Sequence, residues 1–208
     1  DLLLDYQVTA VRTLARRIVR RGGTMLGDVV GLGKTLTAVA TALMLQAAED
    51  YSTLVLCPKN LETMWREHLE AYGVEGARVL PYSMADKLLP DLKLFKLVIC
   101  DESHNLRNDT TKAHEAIRDY VRRNSSKVLL LTATPYNLAF ADVANQLALY
   151  IDEDEDLGII PSAAMTQDPS LADKVDGKTN TLDAFKRSEE ADDWRRLMSD
   201  HLVRRTRS

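Results

Sequence analysis

The sequence predicts an α/β fold in which helices cover both faces of a mainly parallel sheet, giving three layers. Short apolar runs rich in Val, Leu and Ile alternate along the chain with longer segments of helical periodicity. These runs are apolar without interruption, as expected of strands that are buried on both faces. Right-handed crossovers would then bring the carboxyl ends of the strands to one edge of the sheet.

The predicted elements follow in order. The first is an amphipathic helix over residues 5–21, with an apolar face of Val8, Val11, Leu14, Ala15 and Ile18. Strands are predicted over residues 24–30, 53–57, 77–81, 95–100 and 127–132. Helices are predicted over residues 34–49, 61–72, 111–123 and 140–150. Pro58 stops the second strand, and Gly73 ends the helix over residues 61–72.

Residues 152–181 interrupt this alternation. The acidic run Asp152–Asp156, two prolines and a polar stretch show no core pattern, so the segment is predicted to be an irregular surface insertion. A contact surface for another domain is the alternative. Helical spacing returns over residues 182–202, so residues 182–208 are predicted to pack back on the main unit, residues 1–151.

The composition is that of an ordinary globular protein. The chain has 208 residues, of which 45% are hydrophobic and 28% charged, as in ordinary globular proteins. No apolar run is long enough for a membrane-spanning helix, and Cys57 and Cys100 are predicted to be core residues of a cytoplasmic protein. The net charge of −4 argues against nucleic-acid binding, but the acidic run accounts for that excess. The basic clusters near residues 12–21 and 118–127 fit either solvated helix faces or phosphate contacts.

A glycine-rich turn, Gly27–Thr35, joins the first strand to a helix. Glycines allow backbone N–H groups to close around phosphates, a lysine adds positive charge, and a threonine hydroxyl binds Mg²⁺. The positive end of the helix dipole also favours an anion here. The predicted nucleotide-binding residues are Gly31, Leu32, Gly33, Lys34, Thr35 and Leu36. Asp28 replaces the first glycine of the strict motif, so a turn without a ligand stays the alternative.

A second motif, Leu97–His104, is an apolar strand that delivers Asp101 and Glu102 to its carboxyl end, where open parallel sheets bind ligands. Phosphoryl transfer to water needs one carboxylate to hold Mg²⁺ and another to orient or deprotonate the water. We assign the first role to Asp101 and the second to Glu102. The alternative is an acidic helix N-terminus, stabilised by the dipole.

These two motifs resemble motifs of the Swi/Snf-like branch of superfamily-two helicases. Gly31-Leu-Gly-Lys-Thr35 resembles the first motif, and the DEAD/DEAH-like Asp101-Glu-Ser-His104 resembles the second. Further segments agree in order and spacing: Leu4–Gln7 with the glutamine motif, Cys57–Glu67 with motif Ia, Leu131–Pro135 with motif III, and Leu202–Thr206 with the end of the first lobe. The family usually has Asp-Glu-Met where this chain has Asp28-Val29-Val30.

The resemblance implies a RecA-like (P-loop NTPase) fold and a role for several further residues. It implies that Tyr6 and Gln7 read the adenine. It implies that His104, Thr132 and Thr134 couple the γ-phosphate site to motif III. The implied nucleic-acid contacts are Lys59, Asn60, Tyr82 and Ser83. Trp65 is predicted to be a packing residue of its helix.

The resemblance also implies a function: the ATP-binding and hydrolysing lobe of an ATP-dependent DNA translocase or helicase. ATP and Mg²⁺ are the implied cofactors, and duplex DNA and a second RecA-like lobe of the same parent chain are the implied partners. Because the second lobe carries the arginine finger, the isolated lobe is expected to be nearly inactive. The alternatives are an RNA helicase, a restriction-enzyme motor subunit, and a nucleotide-binding scaffold without turnover.

Overall fold

The computed structural model describes residues 5–28, 33–133 and 139–205, without the side chains of Asp5, Tyr6, Asp28 and Arg205. The strands are β1 (Gly23–Asp28), β2 (Thr53–Cys57), β3 (Arg78–Pro81), β4 (Leu97–Cys100), β5 (Lys127–Thr132) and β6 (Leu202–Arg205). The helices are α1 (Asp5–Arg21), α2 (Lys34–Glu49), α3 (Glu62–Ala71), α4 (Ala85–Leu88), α5 (Lys112–Asn124), α6 (Phe140–Leu147), α7 (Ser162–Gln167), α8 (Leu171–Lys174), α9 (Leu182–Lys186) and α10 (Ala191–His201). None of these helices is long and apolar enough to cross a bilayer.

The strands form one sheet in the order β3-β2-β4-β5-β1-β6, and every neighbouring pair is parallel. Strand β5 therefore lies between β1 and β4, the two strands that precede the glycine-rich turn and the acidic motif. The register places Gly27 beside Thr132 and Cys100 beside Leu130. The predicted α/β fold with a parallel sheet and flanking helices is confirmed.

Both faces of the sheet are buried, and successive residues of one strand enter different cores. In β5, Val128 and Leu130 pack into one core, while Leu129 and Leu131 pack into the other. Helices α1, α2 and α3 supply the second core, and α5, α6, α9 and α10 supply much of the first. This two-sided burial explains the uninterrupted apolar runs, since neither face of a central strand meets water.

The sixth strand was not predicted. Helical spacing was predicted over residues 182–202, but the last helix ends at His201, and Leu202–Arg205 pairs with β1 as an edge strand. Four residues that end in two arginines show neither strand alternation nor an apolar run, because an edge strand is only partly buried.

Residues 152–181 are not uniformly irregular. They contain the short helices α7 and α8, and Ala164, Leu171 and Val175 are buried. The buried carboxylate of Asp193 ties this segment to α10, since it accepts backbone N–H bonds from Ala163 and Ala164, both at 3.0 Å. A contact surface for another domain stays a prediction.

Candidate active site

The predicted phosphate and acidic motifs meet at the carboxyl edge of the sheet. Gly33 begins helix α2 after β1, Thr132 ends β5, and Asp101 follows β4. Since β5 separates β1 from β4, the buried Thr132 lies between the other two groups. The parallel topology therefore assembles the site from segments that are far apart in the chain.

Gly33 has two reasons to be glycine. Its backbone is left-handed, with φ 75° and ψ 44°, and a Cβ at this position would lie 2.9 Å from Nε2 of Gln7. A side chain would thus be strained and would also displace the Gln7 amide. The chain is therefore bare backbone at the start of α2.

The N-terminus of α2 is suited to an anion. Lys34, Thr35 and Leu36 form its first turn and are partly exposed, and no described residue of that turn is acidic. The first N–H groups of a helix have no carbonyl partner within it, so they and the dipole attract negative charge. Gly31 and Leu32, also predicted to bind nucleotide, lie outside the described residues.

Gln7 lies beside this turn. It is in the first turns of α1, is 6% exposed, and its amide approaches Gly33 as described above. A buried amide can donate and accept hydrogen bonds at one edge of a planar base. The side chain of Tyr6 lies outside the described residues, so adenine recognition by this pair stays a prediction.

Asp101 is buried and held on all sides. Its Oδ2 accepts from Nε1 of Trp65 at 2.8 Å, and its Oδ1 accepts from the backbone N–H of Glu102 at 2.8 Å. Its carbonyl accepts from the hydroxyl of Tyr82 at 2.6 Å, and its N–H donates to the carbonyl of Leu56 at 2.8 Å. The residue is 5% exposed, and the bonds to its two carboxylate oxygens hold the carboxylate in one orientation.

Glu102 contrasts with its neighbour. Its backbone is left-handed, with φ 48° and ψ 51°, and its side chain is 31% exposed. Nδ1 of His104 lies 3.4 Å from its Oε2. A carboxylate that reaches solvent from a rigid backbone can contact a water molecule, which is what a general base requires.

Ser103, which follows the two carboxylates in the acidic motif, is hydrogen-bonded to helix α6. The buried hydroxyl of Ser103 donates to Oε1 of Gln146 at 2.7 Å, and Nε2 of Gln146 donates to the carbonyl of Asp142 at 3.2 Å. Helix α6 follows motif III along the chain. Coupling through His104 and Thr132 stays a prediction, and Thr134 lies outside the described residues.

The predicted nucleic-acid contacts divide into two groups. Lys59, Asn60 and Ser83 are exposed in turns that follow β2 and β3, at the same edge as the site. Tyr82 differs because its hydroxyl is bonded to the Asp101 carbonyl. Burial raises the pKa of Tyr82 well above its ordinary value, so the phenol stays protonated as a donor. The structure thus gives Tyr82 an intramolecular partner.

The side chains that could bind a metal ion fit a magnesium–nucleotide complex better than a metal ion held by the protein alone. Across residues 5–28, 33–133 and 139–205, no group of three or more His, Cys, Asp or Glu side chains is arranged for a metal. Magnesium usually takes only one or two protein carboxylates, with phosphates and water as the other ligands. Asp101 and the Thr35 hydroxyl, at the same edge of the sheet, would supply the one carboxylate and the one hydroxyl that this pattern needs.

Two contacts at the candidate site were not predicted from the sequence. Trp65 was predicted only to pack, and Gln146 was not singled out. For Gln146 a signal was present, because a glutamine on the apolar face of α6 needs a polar partner when buried. For Trp65 no local signal exists, since its partner lies 36 residues further along the chain.

The parallel sheet, the helix that begins after Gly33 and the carboxylate pair at one edge define a RecA-like α/β fold. Residues 6–84 match the family model of the SNF2-related domain. This match covers the phosphate-binding turn and motif Ia, and it supports the resemblance to the Swi/Snf-like branch over that part of the chain.

The comparisons with individual proteins agree. Over 97% of its length the chain is similar to the Sulfolobus solfataricus SWI2/SNF2 ATPase core in complex with dsDNA, with a TM-score of 0.69 and 18% identity, and it covers 44% of that chain. At this identity the likeness shows the fold alone. The chain is 31% identical over 137 residues, 64% of its length, to a putative ATP-dependent RNA helicase of Acanthamoeba polyphaga mimivirus. It is 27% identical over 154 residues, 59% of its length, to the mouse DNA repair and recombination protein RAD54B. It spans 29% and 17% of the lengths of these two relatives.

Proposed function

We propose that the chain is the ATP-binding and hydrolysing lobe of an ATP-dependent DNA translocase or helicase. One observation carries this proposal: the Gly33–Thr35 helix start and the Asp101–Glu102 pair stand at the same sheet edge, separated by one strand. An anion site and two carboxylates in different environments are the components that phosphoryl transfer to water requires.

Each of these side chains then has a role in binding or hydrolysing ATP. The α2 N-terminus and Lys34 bind the phosphates, and Gln7, together with Tyr6, orients the base. Thr35 and Asp101 would hold Mg²⁺, which supplies positive charge to the phosphates when bound. Glu102 orients the attacking water and accepts its proton, because its carboxylate is partly exposed next to the buried Asp101.

Duplex DNA is the proposed partner. The exposed Lys59, Asn60 and Ser83 lie at the edge of the sheet that carries the site, so a bound backbone could influence it directly. One structural neighbour is an SWI2/SNF2 ATPase core in complex with dsDNA, and RAD54B is a DNA repair and recombination protein. Because the chain spans 44% of that ATPase core and 29% and 17% of the two sequence relatives, a second RecA-like lobe in the same protein is part of the proposal.

RNA is the second candidate substrate, since one relative is named a putative RNA helicase. The test is phosphate release by the full-length protein with duplex DNA, with an RNA duplex of the same sequence, and without nucleic acid. DNA should stimulate hydrolysis more than RNA does. Stronger stimulation by RNA would favour the second candidate.

The same assay tests the proposed base. Glu102→Gln keeps the size of the side chain but removes its proton acceptor, so the rate should fall roughly 10²–10⁴-fold while ATP still binds. Hydrolysis at the parental rate by Glu102→Gln would refute the role of this carboxylate. Loss of ATP binding in that variant would show a structural effect instead.

A further inference from the structure

We propose that Trp65 is a positioning residue for hydrolysis: its indole N–H fixes the Asp101 carboxylate in the orientation that holds Mg²⁺. This inference rests on the proposed function, since it concerns how the magnesium ligand of that site is held. It assigns to a core tryptophan of α3 a part in the chemistry at the end of β4.

The contact is direct and shielded from water. Trp65 is completely buried, and its Nε1 donates to Oδ2 of Asp101 at 2.8 Å. The indole nitrogen can only donate, so this bond requires an acceptor and does not permit the reverse arrangement. Bonds from N–H groups to carboxylates in a buried site are stronger than bonds between neutral groups.

The indole completes a clamp around Asp101. The Glu102 N–H holds Oδ1, and the Tyr82 hydroxyl holds the carbonyl. Each carboxylate oxygen offers about two acceptor positions, so one bond per oxygen leaves a position on each for a metal ion or its water. Rotation of the carboxylate about its bond to Cβ would break the Trp65 bond, and this is what fixes the orientation.

Packing alone does not account for this arrangement. The chain has a second buried tryptophan, Trp194, whose Nε1 donates to the carbonyl of Ser188 at 2.9 Å. Trp194 packs against Phe140 and Phe185 in the other core. Both indoles are thus satisfied, but only the Trp65 bond ends on a side chain placed at the active site.

The experiment compares Trp65→Phe with its matched control, Trp194→Phe, in the full-length protein. Each change keeps an aromatic ring and removes one buried N–H bond, so both should lower the melting temperature. The Mg²⁺ concentration for half-maximal ATP hydrolysis should rise about tenfold in Trp65→Phe, because one charge-assisted bond is lost. It should stay at the parental value in Trp194→Phe.

A second readout separates positioning from general damage. Binding of a fluorescent ADP analogue in EDTA does not involve the metal, so Trp65→Phe should bind it within about twofold of the parental affinity. Saturating Mg²⁺ should restore most of kcat. A purely structural role would instead change nucleotide affinity in EDTA or leave the Mg²⁺ dependence unchanged.

The outcomes that overturn the inference are specific. An unchanged Mg²⁺ requirement in a folded Trp65→Phe protein refutes it. If Trp65→Phe does not fold, the same titration is made with Tyr82→Phe, which removes the hydrogen bond to the Asp101 carbonyl. This variant must raise the Mg²⁺ requirement. An unchanged requirement refutes the inference. A parental protein that shows no Mg²⁺-dependent nucleotide binding would refute the proposed function itself, which distinguishes the two failures.

Discussion

At the level of single residues, adjacent carboxylates acquire different properties from their surroundings. Asp101 points into the core beneath α3 and is held by Trp65, whereas Glu102 turns outward from a left-handed backbone. A non-glycine residue in that conformation costs about 1–2 kcal/mol, and the N–H bond to Oδ1 of Asp101 helps to offset it. Strain of this kind is retained where a side chain must be aimed at a ligand.

The two cysteines give a prediction at the same scale. Cys57 and Cys100 are completely buried; burial, with the charge of Asp101, raises the pKa of the Cys57 thiol to about 12 and raises that of Cys100 as well. Because the thiolate is the reactive form, neither should react with Ellman's reagent in native protein at pH 8. Both should react in denaturant. Rapid labelling of the native protein would contradict the burial.

How far the site could be predicted depends on the range of each contact. Lys34, Thr35, Asp101 and Glu102 lie in short motifs whose chemistry is visible in sequence, and the structure brings them to one edge. The bonds of Trp65 and Tyr82 to Asp101 join residues 36 and 19 positions apart. Nothing in the local sequence specifies such partners, because they depend on how the strands are ordered in the sheet.

At the level of elements, the last strand is attached to the rest of the fold by side chains of α1. Arg17 donates to the carbonyls of Leu202 and Ser199, at 3.0 and 3.1 Å, and Arg21 donates to that of Asp200 at 3.3 Å. These bonds compensate the carbonyls at the end of α10, which have no partner within the helix. The arginines of the first helix that face α10 are therefore structural.

The junction between α10 and β6 should be sensitive to acid. His201 is buried against Tyr150, whose hydroxyl lies 3.0 Å from its Nδ1. Burial and the charges of Arg21 and Arg17, opposed by Asp200, lower the pKa of His201 to about 4. The unfolded chain, with a pKa of about 6.5, binds a proton more readily. Stability from this group is thus complete above pH 6.5 and is lost as the pH falls toward 4.

The measurement is the free energy of unfolding between pH 7 and pH 4. Protonation of His201 should remove on the order of 3 kcal/mol across this range. His201→Asn keeps an acceptor for Tyr150 but cannot titrate, so its stability should fall less steeply with acid. Equal slopes for the two proteins would show that His201 is not the sensitive group.

The bounds of strands that are buried on both faces of the sheet were predicted well, and those of the other elements were predicted poorly. Strands β2 and β5 begin and end where the apolar runs predicted, because both of their faces are buried. Helix α6 ends at Leu147 rather than at Tyr150, and the chain continues in turns. In α7 the backbone N–H groups of Ala163 and Ala164 are held by Asp193, a distant partner that the local sequence does not show.

At the level of the whole molecule, the site stands open at one edge of the sheet. In the proposed function, the described residues supply the helix start that binds the phosphates, the carboxylate that holds Mg²⁺ and the base, all from one lobe. Charge that develops on the γ-phosphate in the transition state needs a further cation, which a second lobe supplies in the proposed function. The site proposed in this lobe therefore lacks one component, the cation that would stabilise the transition state.

The isolated lobe, residues 1–208, should be almost inactive as an ATPase. Absence of an arginine finger lowers turnover by roughly 10³–10⁵-fold, about 4–7 kcal/mol of transition-state stabilisation. Duplex DNA should bind weakly, with a steep dependence on salt, and should not stimulate hydrolysis. Phosphate release with and without DNA, beside the full-length protein, measures this. Strong DNA-stimulated turnover by the lobe would mean that one lobe completes the site.

The central claim is that the N-terminus of α2 binds the phosphates of a nucleotide, and titration of the protein with a fluorescent ATP analogue in Mg²⁺ tests it most directly. Lys34→Ala should bind at least about tenfold more weakly, because a charge at the phosphates is lost. The matched control is Lys93→Ala, at an exposed position that precedes β4 and therefore lies at the opposite, amino edge of the sheet. We expect parental affinity for Lys93→Ala and a large loss of affinity for Lys34→Ala in a folded protein. Parental affinity in Lys34→Ala would contradict the central claim.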